Sequence, residues 1–350
     1  MKRTVLSLLF VFLLCTPIMA EEPSINVISE GDFELVREKK NFSSLEATAI
    51  QPQLSLKFLF SIDSPNANQK FNLPQGVFFH KQTGKIYVVD TGSNMIYRAN
   101  KDGAGIEQVL KNVEFKSPYD VVINRDNKIY ISQLGKNYVE VYNLDGQMEK
   151  KIPEENEAKL LTERGILNTN LMPGRLYYDD SEQKLFIIDR KSAQVYVFSD
   201  SGSYLFHFGG KGKGKGNFSM PSGITIDKLG RIYITEKLGV AVQIFNPNGN
   251  FFKSFGKHGQ REENFSCPSG ISTISFGKDS YLCIIDALRQ QVKFFNLRGK
   301  FVSQAGSFGR EDGSFSYPVD IDVNPDDHII YILEKGSKRV QAFTLTKATK

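Results

Sequence analysis

Residues 218–255 read FSMPSGITIDKLGRIYITEKLGVAVQIFNPNGNFFKSF. Four apolar runs stand in this stretch: Ile224-Thr225-Ile226, Ile232-Tyr233-Ile234-Thr235, Val242-Gln243-Ile244-Phe245 and Phe251-Phe252-Lys253-Ser254-Phe255. Short polar segments separate them. Alternation and β-branched content mark the runs as strands rather than helices. Asn248-Gly249, between the third and fourth, suits a tight hairpin because glycine accepts the positive φ that such turns require. A four-stranded unit of this kind cannot bury both sheet faces alone, so it needs neighbours of its own type.

Those neighbours are present. Pro74, Pro118, Pro173, Pro221, Pro268 and Pro318 recur in the same local setting, separated by 44, 55, 48, 47 and 50 residues. The second runs align as Ile86 to Asp90, Ile129 to Gln133, Leu185 to Asp189, Ile232 to Glu236, Leu282 to Asp286 and Ile330 to Glu334. Repeats starting near 71, 115, 171, 218, 265 and 315 therefore predict an all-β, six-bladed β-propeller of four-stranded antiparallel blades over residues 54–347. The sixth repeat stops at its third strand, Val340 to Leu345, while a strand-like segment at about 54–62 precedes the first. That N-terminal strand is expected to complete the last blade and close the ring, which removes an exposed sheet edge.

Phe218 to Ile224, with Gly209-Gly210-Lys211-Gly212 before it and Gln243-Ile244-Phe245 after it, resembles the NHL repeat. The likeness is clear in repeats four and five, fair in one, two and six, and weak in three. It implies the fold and says little about chemistry, because propellers of this type host binding modules, ligase-associated readers and lyases alike.

Lys2 and Arg3 precede an apolar stretch from Val5 to Leu14, and Ala20 offers a small residue at a cut before Glu21. Residues 1–20 read as a secretory signal peptide, too short in their apolar part to span a membrane. An exported protein, periplasmic or extracellular, is expected. Lipoprotein attachment through Cys15 is the minor alternative, since Leu14 stands where a lipid-attachment box wants a small residue. Cys267 and Cys283 then remain, and the repeat register sets them too far apart to bridge. Cys283 takes a core position held by Tyr87, Tyr130, Phe186, Tyr233 and Tyr331 elsewhere.

The whole chain carries +5. Residues 21–53 form an acidic leader, with seven acids against Arg37, Lys39 and Lys40, so the residues from 54 onward are the more basic part at +7. Loops that enter the first strands, and loops that join second to third strands, share one face, here called the top. Lys211, Lys213, Lys215, Lys237, Arg289, Lys338 and Arg339 fall in those loops, as do Arg190 and Lys335. A one-sided positive field draws anionic partners, though exposed lysines also serve plain solubility.

The acids ending the second strands, Asp90, Asp189, Glu236, Asp286 and Glu334, recur in five of six repeats. Recurrence argues for a structural duty, and they are expected to bond amides of the following loop. The residues two after each proline differ between blades: Gly76, Gly223 and Gly270 in three, Asp120, Arg175 and Asp320 in the others. This mixed-sign trio is expected at the top mouth of the central channel, as a ligand grip or as an ion-pair network. The longest insertion, Glu154 to Arg164, carries acids early and Gly165 just after, which predicts a short helix beside blades two and three.

Related six-bladed propellers include lyases with histidine-bound zinc and lactonases with acid-bound calcium. The four histidines, His80, His207, His258 and His328, do not converge in the repeat register, so no zinc site is expected. No cofactor is expected, with calcium on Asp120 and Asp320 kept open. RNA binding, which some basic NHL surfaces resemble, would want exposed aromatics among the cations, and the signal peptide opposes it. The sequence reads as a monomeric, non-catalytic propeller that binds an acidic protein, an anionic envelope polymer or a small ligand on its top face. The alternative is a metal-dependent lyase or lactone hydrolase at the channel mouth.

Overall fold

The computed structural model describes residues 53–64, 69–167 and 171–348. The signal peptide and the acidic leader lie outside the described residues, apart from Gln53. Six four-stranded antiparallel sheets are found among the described residues. Blade one comprises β2 (Pro74–His80), β3 (Lys85–Asp90), β4 (Met95–Asn100) and β5 (Glu107–Val109). Blade two comprises β6 (Pro118–Ile123), β7 (Ile129–Gln133), β8 (Val139–Tyr142) and β9 (Met148–Ile152). Blade three comprises β10 (Pro173–Asp179), β11 (Lys184–Asp189), β12 (Gln194–Ser199) and β13 (Tyr204–Gly209). Blade four comprises β14 (Pro221–Ile226), β15 (Ile232–Glu236), β16 (Val242–Phe245) and β17 (Phe251–Phe255). Blade five comprises β18 (Pro268–Phe276), β19 (Asp279–Asp286), β20 (Gln291–Asn296) and β21 (Phe301–Ala305).

Each repeat proline is the first residue of its blade's innermost strand, a place where the missing N–H costs no ladder bond. Blade six is discontinuous in sequence. Its order is β22 (Pro318–Asn324), β23 (Ile329–Glu334), β24 (Arg339–Ala348) and, outermost, β1 (Gln53–Ile62). β1 pairs antiparallel with β24 from Gln53 opposite Ala348 to Ile62 opposite Val340, with one bulge between Phe58 and Phe60. The N-terminal strand therefore closes the ring, as the truncated sixth repeat requires.

The core lies between blades rather than within them. Tyr87, Tyr130, Tyr196, Tyr233 and Tyr331 are among the largest fully buried side chains. The layer between blades two and three gathers Tyr130, Val141, Leu176, Leu185 and Phe198. The inserted helix α1 (Glu155–Glu163) joins this layer through Leu161, which is 1% exposed. Gly165 lies just past it with φ +69°, where its lack of Cβ lets the chain turn back, and the amide of Ile166 returns to the Leu161 carbonyl. Cys267 and Cys283 are both buried and no bridge joins them.

Candidate functional site

The six innermost strands surround the axis, and the residues two after each proline form one layer across it. In this layer Arg175 reaches both acids of its trio, with Nη1 donating to Asp120 Oδ1 at 3.0 Å and to Asp320 Oδ2 at 2.8 Å. Nη2 donates to the Gln75 carbonyl at 2.9 Å. The carboxylates are also held by main chain, since Leu176 N donates to Asp120 and Val77 N to Asp320. The three glycines of the layer explain its sequence pattern. A Cβ on Gly76 would stand 2.8 Å from Asp120 Oδ1, and one on Gly270 would stand 2.7 Å from Asp320 Cα. Blades one and five give up a side chain where the trio packs, whereas a Cβ on Gly223 would meet the Ser269 carbonyl at 2.5 Å.

The trio was expected at the top mouth of the channel, as a ligand grip or as an ion-pair network. It is instead buried, at 5 to 7% exposure. It forms the inner end of a 510 Å³ cavity that runs toward the opposite, bottom face, past Tyr177 and Asp322 to His80, Arg125 and Pro325 near the first turns. On the top side the next layer covers it with Gln75 and Tyr119, and the Tyr119 ring packs against both Arg175 and Arg190, whose Cζ atoms are 5.6 and 5.0 Å from its centre. Burial pushes the Asp120 and Asp320 carboxyls up against the pull of Arg175. Arg175 itself resists the downward pull of burial because both acids hold its charge. Asp322, which the sequence did not single out, sits two residues along the same strand and is pushed by burial to about 6. Its alternation with Asp320 along β22 was the available signal.

This donor set does not suit calcium. The Arg175 guanidinium bridges the two carboxylates where a shared ion would have to sit, and main-chain amides take further lone pairs. Among the described residues no group of three or more His, Cys, Asp or Glu side chains is placed to hold a metal ion. His80 is bonded to Thr83, and His207 to Tyr204, each at a separate place.

The strand-end acids hold the loop before the blade, not chiefly the loop after it. Asp90 accepts from the amides of Asn72 and Leu73, Glu236 from Ser219 and Met220, and Asp286 from Ser266 and Cys267. Asp189 serves both sides, taking Met172 N as well as Lys191 N and Ser192 N. In blade two Gln133 does the same work, accepting from Lys116 N. The expectation of following-loop bonds is corrected because the innermost strand starts beside the end of the second strand, which brings the incoming chain within reach.

The residue after each acid occupies an equivalent place around the axis. The amides of Thr91, Leu134, Arg190, Lys237, Ala287 and Lys335 donate to the carbonyls just before the prolines, at Leu73, Ser117, Met172, Met220, Cys267 and Tyr317, all within 2.9 to 3.1 Å. Three of the six are cations. Arg190 leans inward, because a Cβ on Gly174 would come within 2.7 Å of its Cγ. Burial pushes Lys335 down to about 7, helped by the charges of Lys237, Arg175 and Arg190 and opposed by Asp320. Among the described residues no carboxylate pairs with Arg190, Lys237 or Lys335.

The other sequence-predicted cations divide. Lys211, Lys213, Lys215 and Lys338 are exposed and, among the described residues, without ion pairs. Arg339 is not part of an open face: it is buried, bonded to Glu334 at 2.8 Å and Asp312 at 2.9 Å, and donates to the carbonyls of Glu311 and Ser314. Arg289 is likewise spent on Ser266 Oγ and the carbonyls of Arg261 and Gly259. Both brace the loops that lead into blades five and six. Lys293, missed from sequence, is buried in place of Gln243 and Gln341 of the neighbouring blades and donates to Glu262 O.

A family model described as a 6-bladed beta-propeller matches residues 172–234 and 262–349. Among solved structures, a gluconolactonase from Xanthomonas campestris superposes with a TM-score of 0.58 at 12% identity, covering 83% of this chain and 89% of that one. A protein of unknown function from Bacteroides thetaiotaomicron gives 0.59 at 14%, over 85% and 77%. A catalytically inactive virginiamycin B lyase from Staphylococcus aureus, solved with quinupristin, gives 0.55 at 14%, over 85% and 100%. Likeness at these identities speaks for the fold alone.

Proposed function

We propose that this protein is an exported, non-catalytic NHL-type propeller that binds an anionic partner, an acidic protein or polymer, on its top face. The observation that carries this reading is the set of top-face cations without counter-charges: Lys211, Lys213 and Lys215 in one loop, with Lys338, Lys237, Lys335 and Arg190 around the ring. A face that repels itself in the free protein gains most when an anion arrives, and the gain weakens with salt. Binding to immobilised poly-glutamate, followed against salt by interferometry, tests the reading. Replacing Lys211, Lys213 and Lys215 by Gln should weaken binding about tenfold, roughly three exposed charge contacts. Equal binding by that variant, or none by the unaltered protein, would remove the reading.

The second reading, a lyase or lactone hydrolase, rests on the likeness to propellers of those activities. A metal-dependent version would need Asp120 and Asp320 as ligands, and Arg175 already engages both. Elemental analysis of protein purified without chelator is its test: one tightly held metal per chain would bring it forward.

A further inference from the structure

We infer that Arg190, Lys237 and Lys335 form a site on the propeller axis for one tetrahedral oxyanion, a phosphoryl or sulfuryl group. This deepens the proposed binding face and rests on it for its biological sense, but not for its geometry. The three cations hold the same repeat position, each tied by its amide to the carbonyl before its blade's proline. In a six-bladed ring, blades three and six are opposite one another and blade four lies on one side between them. Their equivalent main-chain bonds put cations from these three blades at one level around the axis. That arrangement suits a group offering three outward oxygens better than a planar carboxylate with two.

Several details prepare this place. Arg190 is drawn toward the axis over Gly174 and steadied on the Tyr119 ring, at 5.0 Å. The acids beneath are bridged by Arg175, and of the two only Asp320 offsets part of the charge above. Lys335 is only partly exposed and feels Lys237, Arg175 and Arg190 as like charges, with Asp320 as its attractive neighbour. Unpaired charge crowded in this way is unfavourable until an anion restores the balance.

The crowding gives the site a pH signature. Without an anion, burial and the neighbouring cations hold the Lys335 ammonium down to about 7. An arriving dianion returns it, so binding takes up a proton above neutrality and weakens as pH rises. Sulfate, whose own charge is constant over this range, is the clean probe, with inorganic phosphate and acetate beside it.

Titration calorimetry at low ionic strength, at about pH 6.5 and pH 8.5, reads the inference. One sulfate per chain is expected, several-fold weaker at the higher pH. Lys335→Met and Lys237→Met should each weaken it about tenfold. Lys335→Arg, which keeps its charge, should bind sulfate with little pH dependence. Lys278→Gln, on a bottom turn, serves as the control and should leave affinity unchanged. Comparable phosphate binding would point to either ester class, whereas a strong preference for one names the source. The inference is overturned if neither sulfate nor phosphate binds at about 10 mM, if the Met variants bind normally, or if acetate binds as tightly as sulfate. Poly-glutamate capture without sulfate binding would sink this site and spare the face. Sulfate binding without capture would do the reverse.

Discussion

Arg175 shows how a single side chain decides what the channel can do. It is shared between two buried carboxylates and the Gln75 carbonyl, so its charge is spent on holding blades one, two, three and six together. Removing one partner of a buried ion-pair network leaves uncompensated charge and costs about 3–5 kcal/mol. Arg175→Met should lose that much in urea denaturation at pH 7. The sign of its pH dependence follows from the acids. Both carboxyls are already raised by burial, and without the guanidinium they rise further, so the folded variant takes up protons more readily than the unfolded chain as pH falls. Part of the loss should therefore return between pH 7 and pH 5. A deficit that stays constant across that range would mean that the cost is lost packing rather than unpaired charge.

At the level of elements, each blade is pinned to the chain that enters it. Glu236 shows this most simply, taking the amides of Ser219 and Met220 just before β14. Glu236→Ala would strand those donors, costing about 1–3 kcal/mol and raising hydrogen exchange at the two amides before any change in β15. Unchanged protection there would refute the pinning role. The acids were legible in sequence because they recur, and their partners were misread because recurrence reveals a duty without its direction. Arg339 and Lys335 show the same limit. Four residues apart, one in the loop and one opening β24, they look alike as letters. Arg339 is held by Glu334 and by partners 25 to 28 residues upstream, whereas Lys335 faces like charge from other blades with Asp320 as its attractive neighbour. Neither fate is written in the loop itself. The Gly and charged alternation around the axis was visible, but its burial depended on Gln75 and Tyr119 packing across blades, which no single repeat displays.

For the whole molecule, the period of the prolines was sufficient to give six blades, because each blade's strands are contiguous and their pairing is local. Ring closure needed only the observation that one blade lacked a strand and that a spare strand preceded the first. The seam this creates joins residues 291 apart, with Ser55 directly opposite Thr346 and their hydroxyls 2.8 Å apart. All other sheet pairs within a blade close short loops, so this seam is where the chain gives up most entropy on folding. Cross-linking it should restrict the unfolded chain strongly. A disulfide made by Ser55→Cys with Thr346→Cys closes so long a loop that about 5 kcal/mol is the expected gain where geometry permits the bond. The oxidised double variant should melt several degrees above its reduced form, and the reduced form should melt near the unaltered protein. Cys267 and Cys283, both buried, should stay out of the exchange. Equal melting of the oxidised and reduced forms would mean that β1 remains on β24 after the rest of the ring has come apart, and that the seam is not where the propeller opens.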